Sequence, residues 1–243
     1  MKILAVDTSH PVGSVALSVD GEQVGAAELG RSESHLVELG RSIDGLLKRG
    51  GIAVSSIDRV AVVTGPGSFT GLRIGMAYVK GLHAALQMDI VGITSLELLA
   101  RQAASTGQSV APMIDARKDE VYASYYEPHN AAPQDARTSE SRLLEKIPPR
   151  ALALAVFLSE LNVRPTVFIG SGAVRYAGDI EKVFGGSAAG PEDGRHEPDT
   201  ALLCRIAEEL EPLDPDAVEA LEPFYVRPSD AKLKPLKGVH AYD

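Results

Sequence analysis

The N-terminal part of the chain shows the hydrophobic patterns of strands. Residues 2–6 are a short apolar run, and Ser14–Val19 alternates small polar with apolar residues, so both segments are expected to be strands. Asp20-Gly21 favours the positive φ angles of a tight turn, which would pair Ser14–Val19 with residues 23–28 in a hairpin. The chain is therefore predicted to open as a β-meander.

The next segment has the hydrophobic spacing of an amphipathic helix. Apolar residues recur every three or four positions at Leu36, Leu39, Ile43 and Leu46. Ser34 can cap the N-terminus of this helix, and two glycines at positions 50 and 51 follow its last apolar residues. A helix is predicted between these two signals.

A strand, a glycine-rich loop and a second helix are predicted to follow. Residues 59–64 form a β-branched run that ends in the loop 65–71, after which helical periodicity resumes over residues 72–86. A strand at residues 90–92 then leads to Thr94. Together with Glu97 three positions later, Thr94 forms a capping box for a helix that extends to about residue 105.

The second half of the sequence repeats this pattern of strands, a glycine turn and a helix. Strands are predicted at residues 110–114 and 120–126, and Thr166–Ile169 breaks into a glycine turn that echoes the loop at 65–71. A further helix is expected over residues 200–210, whereas the Pro- and Ala-rich residues 128–149 allow no assignment. The pattern predicts two related lobes, residues 1–105 and a smaller lobe of residues 106–243, with a tail after residue 227.

Composition and charge narrow the class of protein. Hydrophobic residues make up 44% of the 243 residues and charged residues 23%, as in a globular protein with a real core. The formal net charge of −9 opposes a broad phosphate-binding surface, so little intrinsic nucleic-acid binding is expected. No apolar run approaches the roughly 20 residues of a membrane helix, and a cytoplasmic protein is expected. The single cysteine, Cys204, has apolar neighbours and is expected to be a buried thiol.

Candidate chemistry centres on the glycine loop and on the end of the first strand. The loop ends in Gly71-Leu72-Arg73 and lacks the Gly-Lys-Ser/Thr of a phosphate loop, so a structural turn is favoured. Asp7, Thr8 and Ser14 are candidates for contacts with a nucleotide phosphate and its magnesium ion, but the same residue types are ordinary turn formers. No two histidines are separated by three or four residues, which disfavours a helical metal site.

The second predicted helix has two faces that need partners. One face carries large apolar side chains, and the other carries the small residues Ala77, Gly81, Ala84 and Ala85. Small side chains allow another helix to approach closely. One face would then serve the core and the other a partner chain, or both would be buried within one domain.

Several segments together resemble the TsaB family of proteins, also called YeaZ. They are residues 3–9 (ILAVDTS), 65–75 (GPGSFTGLRIG), 80–82 (KGL), 94–97 (TSLE), 115–122 (DARKDEVY) and 223–227 (PFYVR). The resemblance extends from the first strand to near Arg227, and residues 65–75 are its most specific part.

The resemblance implies an α/β fold of the two-lobed actin, sugar kinase and Hsp70 type, with mixed sheets flanked by helices. It also implies a role in forming threonylcarbamoyladenosine beside the anticodon of tRNAs that read codons beginning with A. TsaD transfers the threonylcarbamoyl group, and TsaB-like proteins are its inactive relatives and scaffolds. The ATPase TsaE is the third partner of a ternary complex, and tRNA is reached only through the complex.

The resemblance further implies a partner surface on the two predicted helices. These helices would form a helical bundle with TsaD, and a homodimer when TsaD is absent. The residues expected there are Leu36, Leu39, Ile43, Leu46, Ala77, Gly81, Ala84 and Ala85. No catalytic residue, metal or cofactor is expected for this chain itself, and ATP or ADP is expected only in the complex.

The expected inactivity rests on a motif comparison. TsaD carries Asn-His-Leu-Glu-Gly-His where this sequence reads Thr-Ser-Leu-Glu-Leu-Leu at residues 94–99, and the two histidines hold its metal. Ser95 and Leu99 stand in their places, and neither can replace imidazole as a ligand. A small kinase or ATPase that uses Asp7, Thr8 and Ser14 remains an alternative, whereas a peptidase is disfavoured by the lack of a metal pair.

Overall fold

The computed structural model describes residues 1–30, 35–104, 107–128, 143–162 and 164–226. The first of its two mixed sheets has the strand order β3-β2-β1-β4-β5. Its strands are β1 (Lys2–Asp7), β2 (Ser14–Val19), β3 (Glu22–Glu28), β4 (Arg59–Gly65) and β5 (Asp89–Thr94). Asp20 and Gly21 have φ angles of 51° and 82°, so the predicted hairpin turn between β2 and β3 is confirmed.

Helices cover both faces of this sheet. They are α1 (His35–Gly50), α2 (Phe69–Leu86), α3 (Ser95–Ala103), α7 (Thr200–Glu209) and α8 (Pro215–Glu219). Side chains of a strand alternate between faces, and β1 shows this directly. Leu4 and Val6 pack in the core beneath α1 and α2, whereas Ile3 and Ala5 pack in a second core with residues of α7. The first sheet is thus the middle layer of three.

The second sheet has the order β10-β9-β6-β7-β8. Its strands are β6 (Ser109–Asp115), β7 (Glu120–Pro128), β8 (Leu143–Ala153), β9 (Thr166–Ile169) and β10 (Ala188–Ala189), and its helices are α4 (Leu154–Glu160), α5 (Ser171–Arg175) and α6 (Ala177–Phe184). Strands β6 to β10 follow one another in space as β1 to β5 do, with the same antiparallel and parallel pairings. Both sheets thus have one topology, as expected for two related lobes.

The predicted assignment of all residues after 106 to the second lobe is wrong for residues 200–226. Helix α7 packs on the first sheet, where Leu203 and Ile206 are fully buried. Arg59 of β4 fixes the end of this helix by donating hydrogen bonds to the carbonyl oxygens of Ala207 (2.6 Å) and Leu210 (2.9 Å). The physical reason is that the sheet has an apolar second face, where this returning helix buries Ile3 and Ala5 of β1 alongside Leu98 of α3.

Two further predictions concern residues 128–149 and the tail after residue 227. Strand β8 occupies part of the unassigned stretch, and it accepts Pro148 and Pro149 because it lies at the edge of its sheet. The expected tail after residue 227 lies outside the described residues. Within the described part of the chain, no helix is both long and apolar enough to cross a membrane.

Candidate functional site

The glycine loop brings the start of α2 directly onto the end of β1. The backbone N–H of Ser68 donates to the carbonyl oxygen of Ser9 (2.7 Å), and the Ser68 hydroxyl caps α2 by accepting from the N–H of Gly71 (3.2 Å). A Cβ at Gly71 would lie closer than 3.0 Å to the carbonyl oxygen of Thr8, a separation that real Cβ atoms essentially never show. The loop is glycine-rich because two backbone segments touch here.

This close packing buries two of the residues predicted to contact a nucleotide. Asp7 and Thr8 are each 1% exposed, and Ser14 is half-buried opposite Asp7 in the β1–β2 pair. The Asp7 carboxylate accepts from the Ser9 N–H (2.7 Å), and burial raises the pKa of this carboxyl above its ordinary value. Both residues are buried in this conformation, so a phosphate can reach neither, and the first turns of α2 lie directly against Thr8.

Ser95 and Leu99 of α3 have structural roles. Ser95 is fully buried, and its hydroxyl donates to the carbonyl oxygen of Pro66 in the glycine loop (2.5 Å). Leu99, 1% exposed, packs between the lobes against Val110 and Ile169 of the second sheet. Among the described residues, no group of three or more His, Cys, Asp or Glu side chains is arranged to hold a metal ion.

The partner surface expected on α1 requires a correction. Leu39, Ile43 and Leu46 are at most 2% exposed and belong to the core under the first sheet, so no partner can contact them in this fold. The side chain of Leu36 lies outside the described residues. The amphipathic pattern of α1 is satisfied by the chain's own sheet.

Helix α2 separates its two faces as the sequence suggested. The large residues Leu72, Met76 and Val79 are buried in the chain's own core. The small residues on the opposite side are all exposed, namely Ala77, Gly81, Ala84 and Ala85. No residue that the structure describes lies within 4 Å of the position that a Cβ of Gly81 would take. The small-residue face of α2 is therefore open in this chain, and its contact with a partner stays a prediction.

An exposed cluster of aromatic rings and a guanidinium continues this open face toward the start of α2. The Arg73 Cζ atom lies 3.8 Å from the centroid of the Phe69 ring, and the Arg73 Nε donates to the Tyr225 hydroxyl (2.8 Å). The centroids of the Phe69 and Tyr225 rings are 5.3 Å apart. Phe69 is 41% exposed and Tyr225 is 39% exposed. We call Phe69, Arg73 and Tyr225 the aromatic–arginine cluster.

Residues 219–226, here called the C-terminal strap, hold this cluster in place. The Lys80 Nζ of α2 donates to the carbonyl oxygens of Glu219 (2.5 Å) and Leu221 (3.1 Å). The Phe224 N–H donates to the carbonyl oxygen of Thr64 at the end of β4 (2.8 Å). These backbone contacts fix the strap along α2 and bring Tyr225 beside Phe69.

Comparison with known proteins identifies the family. The tRNA threonylcarbamoyladenosine biosynthesis protein TsaB of Bacillus subtilis is 30% identical over 237 residues, which cover 96% of this chain and 97% of that protein. The chain belongs to the TsaB (YeaZ) family. The TsaB protein of Haemophilus influenzae is 28% identical, with 98% of each chain covered.

A solved structure and a family model agree with this assignment. YeaZ from Pseudomonas aeruginosa has a TM-score of 0.70 and 27% identity, covering 92% of this chain and 99% of that one. The fold, two mixed sheets flanked by helices, is that of YeaZ, as expected. Residues 30–172 also match the family model of TsaD, described as tRNA N6-adenosine threonylcarbamoyltransferase. This TsaB-family chain is thus related to the transferase over the glycine loop, α2 and α3.

Sequence reasoning missed the aromatic–arginine cluster. One signal was available, because Phe69 and Arg73 are four residues apart at the start of a helix and therefore neighbours on its surface. No local pattern connects Tyr225 to them, since the contact depends on how the strap crosses α2. The family motifs at residues 65–75 and 223–227 each contributed to the TsaB resemblance, and the structure brings them together.

Proposed function

We propose that this chain is a non-catalytic partner of TsaD that scaffolds and activates it in the formation of threonylcarbamoyladenosine on tRNA. The observation that carries the proposal is the role of Ser95 and Leu99. These positions correspond to the metal-binding histidines of TsaD in the motif comparison, and here both are buried and used for packing. A transferase that depends on that metal pair cannot be rebuilt on this α3.

The open face of α2 supports the scaffold part of the proposal. A helix in a single domain normally needs one apolar face for its core, and α2 buries its large residues there. The small residues Ala77, Gly81, Ala84 and Ala85 are left on the outside, where they allow a partner helix to approach closely. TsaD is the proposed partner, and self-association through the same face is proposed when TsaD is absent.

The remaining partners follow from the same assignment. TsaE is proposed as the third protein of the complex, and the complex is proposed to act in the cytoplasm. ATP or ADP would bind in the complex and is not required by this chain, in keeping with the burial of Asp7 and Thr8. The net charge of −9 disfavours tight tRNA binding by this chain alone, so tRNA would be reached through the complex.

A transfer assay tests the proposal. The purified chain, TsaD and the two together are each supplied with threonylcarbamoyl-AMP and tRNA, and modified tRNA is measured. We expect no product from the chain alone and more product from the pair than from TsaD alone. Product without TsaD would refute the non-catalytic role, and absence of both binding and stimulation would refute the scaffold role. ATP turnover by the chain alone would favour the alternative of a small kinase or ATPase.

A further inference from the structure

We propose that the aromatic–arginine cluster is the anchor of the partner surface, and that it selects a partner helix carrying a carboxylate over a second copy of this chain. The inference rests on the proposed function and adds the chemistry by which the partner is recognised. The first observation that supports it is the positive charge of α2. The chain has a net charge of −9, yet α2 contains Arg73, Lys80 and His83 and no acidic residue.

The positive charge of Arg73 is not neutralised by a carboxylate in the described part of the chain. Its Nε donates to the neutral hydroxyl of Tyr225, and its guanidinium stacks on the Phe69 ring. Stacking and one hydrogen bond hold the guanidinium plane in one orientation, and its two terminal nitrogens form no hydrogen bond or ion pair with any described residue. A planar guanidinium fixed in this way is suited to a bidentate contact with a carboxylate.

The surroundings of Arg73 fit a buried anchor contact. A recess of about 310 Å³ lies against α2 and is lined by Phe69, Thr70, Arg73, Ile74 and Ala77. Interface residues that contribute most to binding are typically aromatic and arginine side chains beside such recesses. An apolar partner side chain would fill the recess, and a neighbouring acidic residue would pair with Arg73. The small-residue face then continues the contact along the helix.

A second copy of this chain fits the same surface less well. In a two-fold symmetric dimer the same patch faces itself, so α2 would meet another helix without an acidic residue. On neighbouring α1, Asp44 is already paired with Lys48 (2.6 Å). The strap carboxylates of Glu219 and Glu222 form no ion pair with α2 in the described residues, where Lys80 instead binds backbone carbonyls. Glu38 in the first turn of α1 and the two strap carboxylates are thus the acidic groups that a second copy could offer. Because the facing α2 would offer none, a helix of a different chain is the proposed occupant, and the test below separates it from a second copy.

Two variants of Arg73 and one control test the proposal. Arg73→Gln removes the charge, and Arg73→Glu reverses it. Arg205→Glu is the control, because it changes the net charge of the chain by the same amount as Arg73→Glu. Arg205 lies on the exposed side of α7, which packs on the opposite face of the first sheet from α2. Binding to TsaD is measured by calorimetry, and the melting temperature of each variant is measured alongside. We expect Arg73→Gln to weaken binding by about 10- to 150-fold, the range for a lost hydrogen bond to a charged group, and Arg73→Glu to weaken it more.

Salt dependence separates a charge contact from a packing contact. Between about 0.05 and 0.5 M salt, wild-type binding should weaken clearly, whereas binding of Arg73→Gln should change less because its ion pair is absent. Arg205→Glu should bind as wild type does. If both Arg73 variants bind TsaD like the Arg205→Glu control, or if wild type and Arg73→Gln share one salt dependence, the inference is overturned.

The same experiment distinguishes this inference from the proposed function. If the wild-type protein does not bind TsaD at all, the scaffold role itself is refuted, and the anchor inference, which rests on it, is refuted with it. If wild type binds TsaD and the Arg73 variants change only the monomer–dimer equilibrium of the isolated chain in sedimentation, the anchor belongs to a second copy. That result would overturn the choice of partner and leave the scaffold role standing.

Discussion

Gly71 lies so close to Thr8 that a Cβ at position 71 would fall within 3.0 Å of the Thr8 carbonyl oxygen. The oxygen belongs to the backbone at the end of β1 and cannot rotate away as a side chain would. The contact places the first turn of α2 on the loop after β1. It therefore couples the helix that carries the proposed partner surface to the middle of the first sheet.

This contact predicts that Gly71→Ala destabilises the protein. The added methyl group must displace backbone, and overpacking of this kind costs about 1–3 kcal/mol, occasionally more. Gly81→Ala in the same helix is the matched control, because in the described part of the chain nothing lies within 4 Å of its added Cβ. Replacing this helix-interior glycine should stabilise the protein by up to about 1 kcal/mol. Urea unfolding of both variants measures the difference, and equal stability of the two would contradict the close approach.

The buried carboxyl of Asp7 predicts a dependence of stability on pH. Desolvation raises its pKa above the ordinary value of 3.8, so the folded state favours the protonated form more than the unfolded state does. This stabilising contribution is present below pH 3.8 and is lost as pH rises through the higher pKa of the folded state. Asp7→Asn keeps an oxygen that can accept from the Ser9 N–H and removes the charge.

We therefore expect Asp7→Asn to be more stable than wild type at neutral pH and to approach wild-type stability in acid. Thermal unfolding across this pH range provides the measurement. The difference between the two proteins should grow as pH rises and then level off once Asp7 is ionised in the folded state. A constant difference at every pH would show that desolvation of this carboxylate does not govern the effect.

Cys204 should be unreactive in the folded protein. It is 2% exposed within α7, and burial raises its pKa to about 11, so little thiolate forms at neutral pH. A thiol reagent such as DTNB should label the native protein slowly and the urea-unfolded protein at once. Because this is the only cysteine in the sequence, the signal reports on α7 alone. Immediate full labelling without urea would mean that α7 does not stay packed on the first sheet.

The sequence predicted local structure well because turn residues and the spacing of apolar residues are local signals of hairpins and helices. The Asp20-Gly21 turn and the helical spacing of Leu39, Ile43 and Leu46 correctly indicated a hairpin and an amphipathic helix. Periodicity shows which face of a helix is buried, but it does not show which surface covers that face. The family resemblance implied a partner surface that included Leu39, Ile43 and Leu46, and periodicity alone could not show that the chain's own sheet buries them.

Long-range packing could not be predicted in the same way. Nothing in the local pattern of α7 shows that it returns to the first sheet or that Arg59 binds its last carbonyl oxygens. The glycines of the loop suggested a turn or an anion site, and only the fold shows that Gly71 faces the backbone of Thr8. The same contact helps to bury Thr8, one of the candidate nucleotide residues.

A substitution on the open face of α2 tests whether TsaD contacts this face in the proposed complex. Gly81→Leu adds a large side chain where two helices would meet, and overpacking of about 1–3 kcal/mol corresponds to roughly five- to 150-fold weaker binding of TsaD. The melting temperature of the isolated chain should not fall and should rise slightly, because residue 81 is exposed, no described residue lies within 4 Å of its added Cβ, and leucine favours a helix more than glycine does. Binding is measured by calorimetry and unfolding by thermal scanning.

Gly178→Leu is the matched control for this variant. Gly178 is also an exposed helical glycine, and none of the described residues lies within 4 Å of its added Cβ, but it lies on α6 in the second lobe. The same substitution there should leave TsaD binding unchanged. If Gly81→Leu and Gly178→Leu bind TsaD equally well, the partner does not contact the small-residue face. A lower melting temperature for Gly81→Leu alone would instead show that this face is packed within the chain, because an exposed helix surface has room for the added side chain.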